Sequence, residues 1–100
     1  GATMAVIVTA SVSIKPERVA EAIAFMKERL PDTRSAEGCQ FLELSEDKER
    51  PEMLFSYSRW DSIEHYETYT AWRTETGVMA AFGEFVAEPP VTTFYETIDL

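Results

Sequence analysis

The side chains of this chain that can do chemistry crowd into one stretch, Met53 to Gly77, MLFSYSRWDSIEHYETYTAWRTETG. It holds both tryptophans, Trp60 and Trp72, the only histidine, His65, and Tyr66, Tyr69 and Arg73. Trp60 can stack on a flat ring and offer its indole N–H to an oxygen, or it can cap a core at a strand end. Tyr66 and Tyr69 can donate hydrogen bonds to a phenolate or a peroxide, or they are core tyrosines with hydroxyls reaching water. His65 is the natural general base, being the one side chain whose unperturbed pKa lies near neutrality, and it also reads as a surface histidine. Arg73 can hold an anionic substrate or pair with a nearby surface glutamate. Trp72 closes a cavity mouth or serves a contact between subunits, and Ser56 shares a strand face with Trp60 and can donate into the same space.

Two elements must position these groups. Met53, Phe55, Tyr57 and Arg59 fall on one face of a period-2 strand and Leu54, Ser56, Ser58 and Trp60 on the other. Asp61 and Ser62 then supply helix-capping oxygens, with Glu64 where the helix dipole favours negative charge. On a 3.6-residue period Ile63, Tyr66, Tyr69, Thr70 and Arg73 form one stripe, with His65 and Trp72 on its flank. A stripe both aromatic and polar suits the wall of a cavity as well as a core.

The rest of the chain supplies the walls. Val6 to Ile14 alternates as a half-buried strand. Pro16 opens a helix whose stripe is Val19, Ala22, Ile23, Met26 and Leu30, and Pro31 and Asp32 are expected to interrupt it before Gly38 stops it. Gln40 to Ser45 is a second strand, joined to the third by the charged turn EDKER. After Gly77 a second helical piece carries Val78, Ala81, Phe82, Phe85 and Val86, ended by Pro89 and Pro90, and Val91 to Ile98 is the last strand. The order strand, helix, strand, strand, helix, strand predicts an α+β, ferredoxin-like βαββαβ fold, a four-stranded antiparallel sheet with helices on one face. The uncovered face, bearing either Met53, Phe55 and Tyr57 or Leu54 and Trp60, is too apolar for water and predicts a sheet-to-sheet homodimer.

Composition narrows the function. Eighteen acidic against nine basic side chains give a formal charge of −9, which repels phosphate backbones and anionic lipids, so neither nucleic acid nor a membrane is an expected partner. Residues 4–100 read as one soluble domain, with Gly1, Ala2 and Thr3 as a cloning remnant ahead of Met4. A lone cysteine, Cys39, and no secretory pattern fit a cytoplasmic setting. One histidine and one cysteine far apart make no metal-ligand set, and neither a GxSxG elbow nor a glycine-rich phosphate loop occurs.

The EGC of Glu37 to Cys39, the strand ending in Trp60, the DSIEHY opening the next helix and the proline-rich end of the last helical piece together resemble the antibiotic biosynthesis monooxygenase family. The resemblance spans Val6 to Ile98 and implies a dimeric α+β barrel. Its heme-degrading branch uses a strand-one asparagine and a later histidine; strand one here has no asparagine, and Tyr69 and Thr70 stand where that histidine would be, which disfavours heme. Its quinone-forming oxygenases are matched at Trp60 and Tyr66, while Ser56 replaces their asparagine. The resemblance therefore implies a monooxygenase without metal or organic cofactor, acting on a small aromatic phenol or hydroquinone held between helices and sheet. Trp60, Tyr66 and His65 are the candidate catalytic residues, and Ser56, Tyr69, Trp72 and Arg73 the candidate substrate-binding ones. A non-catalytic binding or accessory dimer, a heme-binding protein and an isomerase are the alternatives.

Overall fold

Strand alternation decides which side of the sheet is covered. In the structure, a computed structural model that describes residues 5–98, strands β1 (Val6–Ile14), β2 (Cys39–Glu46), β3 (Met53–Trp60) and β4 (Val86–Glu96) form one antiparallel sheet in the order β2-β3-β1-β4. Helices α1 (Val19–Arg34), α2 (Ile63–Glu75) and the short α3 (Val78–Gly83) accompany it, and a 3₁₀ turn, Pro16–Arg18, leads into α1. This is the expected βαββαβ arrangement, with α3 added before the last strand. The pairs Val6–Trp60, Val8–Ser58, Ala10–Ser56 and Val12–Leu54 make up the helix-covered face, and Val6, Val8, Leu54, Ser58 and Trp60 are buried there. By alternation Met53, Phe55, Tyr57 and Arg59 lie on the open face, which settles the choice that the sequence pattern leaves open. The expectation about Gly1, Ala2 and Thr3 lies outside the described residues.

The covered face carries two packed clusters rather than one. Ile14, Ala22, Leu54 and Phe85 form the first, with Val12, Phe25, Met26 and Phe82 against them. Val6, Val8 and Trp60 form the second, with Cys39, Ile63, Tyr66 and Tyr69 around them. Between them sit the small side chains Ala10 and Ser56, paired across the centre of the sheet. Small residues flanked by large ones leave space that nothing fills, so the core opens at its middle.

Two boundaries differ from the sequence expectation, both at prolines. Pro31 does not interrupt α1, which continues to Arg34. Proline withholds one amide from the carbonyl of Lys27, and because Lys27 is exposed, water can satisfy that oxygen. Pro89 and Pro90 lie inside β4 rather than ending a helix, and Phe85 and Val86 are not helical. β4 is an edge strand and its register against β1 shifts between Ser11 and Ile14, so prolines there cost no ladder bond.

The turns are chemically specified. Asp47 Oδ1 accepts from the backbone amides of Glu49 and Arg50 at 2.8 and 3.0 Å, closing the β2–β3 turn, and those two bonds hold its carboxyl below the usual range. Gly38 adopts φ +87°, and a Cβ there would overlap the His65 ring. No described helix is long and apolar enough to cross a membrane.

Candidate active site

The opening between the two clusters is a cavity of about 290 Å³, floored by all four strands and roofed by the three helices. Ser56 lies on its floor, Trp60, Tyr66 and Tyr69 form one wall, and Phe25, Met26, Leu54 and Phe82 form the other. Arg29, Thr33 and Arg73 line its helical side. Five of the seven expected site residues, Ser56, Trp60, Tyr66, Tyr69 and Arg73, thus meet around one space. Strand alternation delivers the first two and the helical stripe of α2 the other three.

Several of these groups already have partners. Trp60 is 1% exposed, and its indole N–H donates to Ser58 Oγ at 3.0 Å, while Ser58 Oγ–H donates to the Val8 carbonyl at 3.2 Å. The expected use of that N–H on a ligand is therefore forestalled, and the ring is enclosed too, packed 5.5 Å from Tyr66 edge-on and 5.2 Å from Tyr69, so that Trp60 backs the wall those tyrosines form. Tyr69 and Thr33 hydroxyls lie 2.6 Å apart. The guanidinium of Arg73 donates from Nε to Tyr69 Oη at 3.0 Å and from Nη2 to Thr33 Oγ1 at 3.0 Å and the Arg29 carbonyl at 2.9 Å. Arg73 is 4% exposed, so the expectation of a surface ion pair gives way to a buried, charged strut between α1 and α2. A buried guanidinium costs several kcal/mol in lost hydration, against which stand these hydrogen bonds and its stacking 4.6 Å over the Trp72 ring.

Ser56 and Tyr66, by contrast, make no side-chain hydrogen bond among the described residues. Burial, with a smaller contribution from Tyr69, pushes the Tyr66 phenol above its ordinary value, so it is a proton donor rather than a base. Burial likewise raises the Cys39 thiol, which removes it as a ready nucleophile.

His65 and Trp72 lie elsewhere. They line a separate outer groove of about 500 Å³ with Asp32, Ala36, Glu37, Glu64, Thr68 and the far side of Tyr69. Ser62 caps α2, accepting from the His65 amide at 3.2 Å, and its hydroxyl pairs with His65 Nδ1 at 2.6 Å; Nε2 stands 4.0 Å from Glu37. Asp61, also expected to cap, instead accepts from Gln40 Nε2 at 2.6 Å. The ring of His65 is thus folded against the α1–β2 turn, on the far side of Tyr69 from the cavity. The geometry does not bring it to Trp60's pocket as a base.

The sequence profile of the antibiotic biosynthesis monooxygenases matches residues 5–87, which contain every one of these groups. The chain belongs to the antibiotic biosynthesis monooxygenase family. No curated protein matches it significantly. Among solved structures it is similar to a conserved protein from Methanosarcina mazei Go1, with TM-score 0.85 and 21% identity over 94% of this chain and 93% of that one. It is equally similar, at TM-score 0.85, to a protein described as an antibiotic biosynthesis monooxygenase, 17% identical over 94% of this chain and 99% of that one. Rv0793 from Mycobacterium tuberculosis matches at TM-score 0.85 and 21% identity over 96% and 97% of the two chains. At these identities the likeness is one of fold.

Arg29 and Thr33 line the cavity and were missed by sequence reasoning. The signal was present: the α1 stripe through Ala22, Met26 and Leu30 continues at helical spacing to Thr33. Taking Pro31 as a break hid it.

Proposed function

We propose that this chain is a cofactor-independent monooxygenase that oxidises a small phenol or hydroquinone-type aromatic with O₂ in the cavity between helices and sheet. The observation that carries this reading is the cavity itself, with aromatic and aliphatic walls and unpartnered hydroxyl donors from Ser56 and Tyr66. Its volume is near the lower end of the roughly 300–1,000 Å³ common for ligand sites, which suits a compact ring system. Tyr66 and Tyr69, backed by the buried Trp60, position the ring, and the apolar walls exclude water. The phenol proton leaves to solvent. The resulting anion passes one electron to O₂, and the radical pair joins as a ring peroxide anion that takes a proton back from solvent; loss of the ring C–H proton with cleavage of the O–O bond then leaves a quinone carbonyl and releases hydroxide, which is protonated to water. One oxygen atom ends in the product and the other in water, with the substrate supplying both hydrogens. Tyr66, kept protonated by burial, is suited to donate to the peroxide oxygen as charge develops there.

Oxygen uptake by the metal-stripped protein with hydroquinones, naphthols and anthrones tests this. Uptake above the autoxidation rate that drops at least about tenfold in Tyr66→Phe or Trp60→Phe is the expected result. Uptake indistinguishable from buffer with every compound sinks it.

A second reading, a non-catalytic binding protein with the same cavity, is favoured by one observation: the only histidine lies outside the cavity. It predicts saturable binding of the same aromatics with no oxygen consumed.

We also propose that the open sheet face closes a homodimer. Phe41, Phe55, Val91 and Tyr95 are 39–66% exposed, and the strand register puts all four on that face. An apolar sheet surface of this kind is covered in stable proteins. Sedimentation near twice 11.4 kDa that falls to the monomer in Phe55→Glu supports it, and a native monomer at micromolar concentration removes it.

A further inference from the structure

The cavity sorts charge against the composition of the chain. Eighteen of 100 residues are acidic and nine basic, yet among the described residues no aspartate or glutamate lines the cavity and two arginines do. Arg73 is the buried one. It has no carboxylate partner among the described residues; all its hydrogen bonds go to neutral oxygens, and its Nη1 makes none.

The hydroxyl inventory at this end points the same way. Tyr69 Oη and Thr33 Oγ1 each accept from the guanidinium, and they share one hydrogen bond with each other. Two hydroxyls carry two protons and that bond uses one, so one O–H remains. Arg73 thus lines the cavity with Nη1 unbonded and one hydroxyl proton of the Tyr69–Thr33 pair unused, its guanidinium 4.6 Å over the Trp72 ring, and no carboxylate is among the described lining residues. The cavity's other wall, with Phe25, Met26, Leu54 and Phe82, is apolar.

We propose that the cavity's ligand carries a single planar oxyanion, a carboxylate or a phenolate, on a compact apolar body, and that Arg73 receives it. The proposal rests on the reading of this cavity as the ligand site. A strut between α1 and α2 explains why Arg73 is buried, but not why a terminal nitrogen of its guanidinium is left without a hydrogen bond or a carboxylate partner among the described residues. A guanidinium suits a planar oxyanion because it is always charged and donates in a fixed plane. With one unengaged nitrogen and an apolar remainder, the site suits a monoanion and disfavours a dianion.

Binding under anaerobic conditions tests this without reference to turnover. The probes are 2-naphthoate, its neutral methyl ester and 2-naphthylmethylammonium, titrated against tryptophan fluorescence near neutral pH. Naphthoate is expected to bind about tenfold or more tighter than the ester, with the ammonium weakest, and Arg73→Gln is expected to erase the preference while Arg50→Gln, in the exposed β2–β3 turn, keeps it. In the native protein, naphthoate should also shift the arginine Nε–H resonance of Arg73, a readout that stands if Arg73→Gln fails to fold. Equal binding of ester and naphthoate overturns the proposal. So does a preference that survives Arg73→Gln, an unmoved Arg73 resonance, or no binding of any probe. Titrating 2-naphthol from about pH 7 to about pH 10 separates the two sources of oxyanion. Affinity that rises with pH marks the phenolate as a ligand, and flat affinity beside tight naphthoate leaves the carboxylate. Failed oxygen uptake with the anion preference intact would count against the oxygenase alone, and turnover without the preference against this proposal alone.

Discussion

Tyr69 separates two concavities of opposite character. The inner one, between sheet and helices, has Arg29 and Arg73 and no carboxylate among its described lining residues; the outer groove has Asp32, Glu37 and Glu64 with His65. Neighbours in sequence part company here, since Tyr66 faces the inner space and His65 the outer. In a chain of net charge −9 an acidic outer groove is what composition alone produces, and an interior lining sheds carboxylates by burial, but a buried arginine with no carboxylate partner among the described residues requires placement. The inner cavity is therefore the one whose chemistry the fold has specified.

The widest gap between the two is expected in stability. Trp60→Ala removes a buried ring from the inner wall and should cost about 3–5 kcal/mol, lowering the melting temperature by roughly 12 °C or more in a domain this size. Trp72→Ala, on the outer groove and 43% exposed, should cost less than about 1 kcal/mol. Thermal denaturation of the pair checks this, and equal losses would mean that the outer groove is packed as tightly as the core.

Function should divide along the same line. Ser56→Leu places a branched side chain beside Ala10 on the cavity floor, where space exists to take it. It should reduce aromatic binding and oxygen uptake by about tenfold or more while leaving the melting temperature within a few degrees of native. His65→Gln should leave uptake within about twofold and stability within about 0.5 kcal/mol. A large loss in the histidine variant, with Ser56→Leu active, would move the chemistry to the outer groove.

How much of this division the sequence disclosed depends on the kind of signal. Period-2 alternation in β3 put Ser56 and Trp60 on one face, and the α2 stripe put Tyr66, Tyr69 and Arg73 together, because side-chain direction follows directly from backbone period. His65 and Trp72 fell on the flank of that stripe, and flank residues are allotted to one side or the other by tertiary packing. In this case Ser62 and the turn at Gly38 draw the histidine outward. Thr33 escaped because proline was read as a helix stop, although a proline on the wet face of a helix forfeits only a bond that water replaces. The engagement of the Trp60 N–H by Ser58 was beyond reach in another way. Residues i and i+2 share a strand face, but which rotamer brings a ring nitrogen to a hydroxyl is a matter of packing.

Between the two concavities, Tyr69→Phe is a subtler break. It deprives Arg73 Nε and Thr33 of an oxygen partner on the inner side while changing nothing polar in the outer groove. A loss of about 1–2 kcal/mol by chemical denaturation is expected, since a buried donor is left unpaired. A neutral result would mean that water enters from the groove and replaces the hydroxyl.

The smallest effect should come from Tyr66, and its sign follows from burial. In the unfolded chain a tyrosine releases its proton near pH 10.0, and in the folded chain burial holds the Tyr66 proton to higher pH. Across that interval the unfolded state binds fewer protons, so stability falls as pH rises; the contribution is intact below about pH 10 and is lost as pH passes through the folded value. Tyr66→Phe has no proton to hold. Its melting temperature should decline less steeply than the native one above about pH 9.5, while the two run parallel at neutral pH. If the curves stay parallel throughout, the Tyr66 hydroxyl is in water rather than against the inner wall, and a protonated donor at the cavity would have to come from Ser56 or from the Tyr69–Thr33 pair.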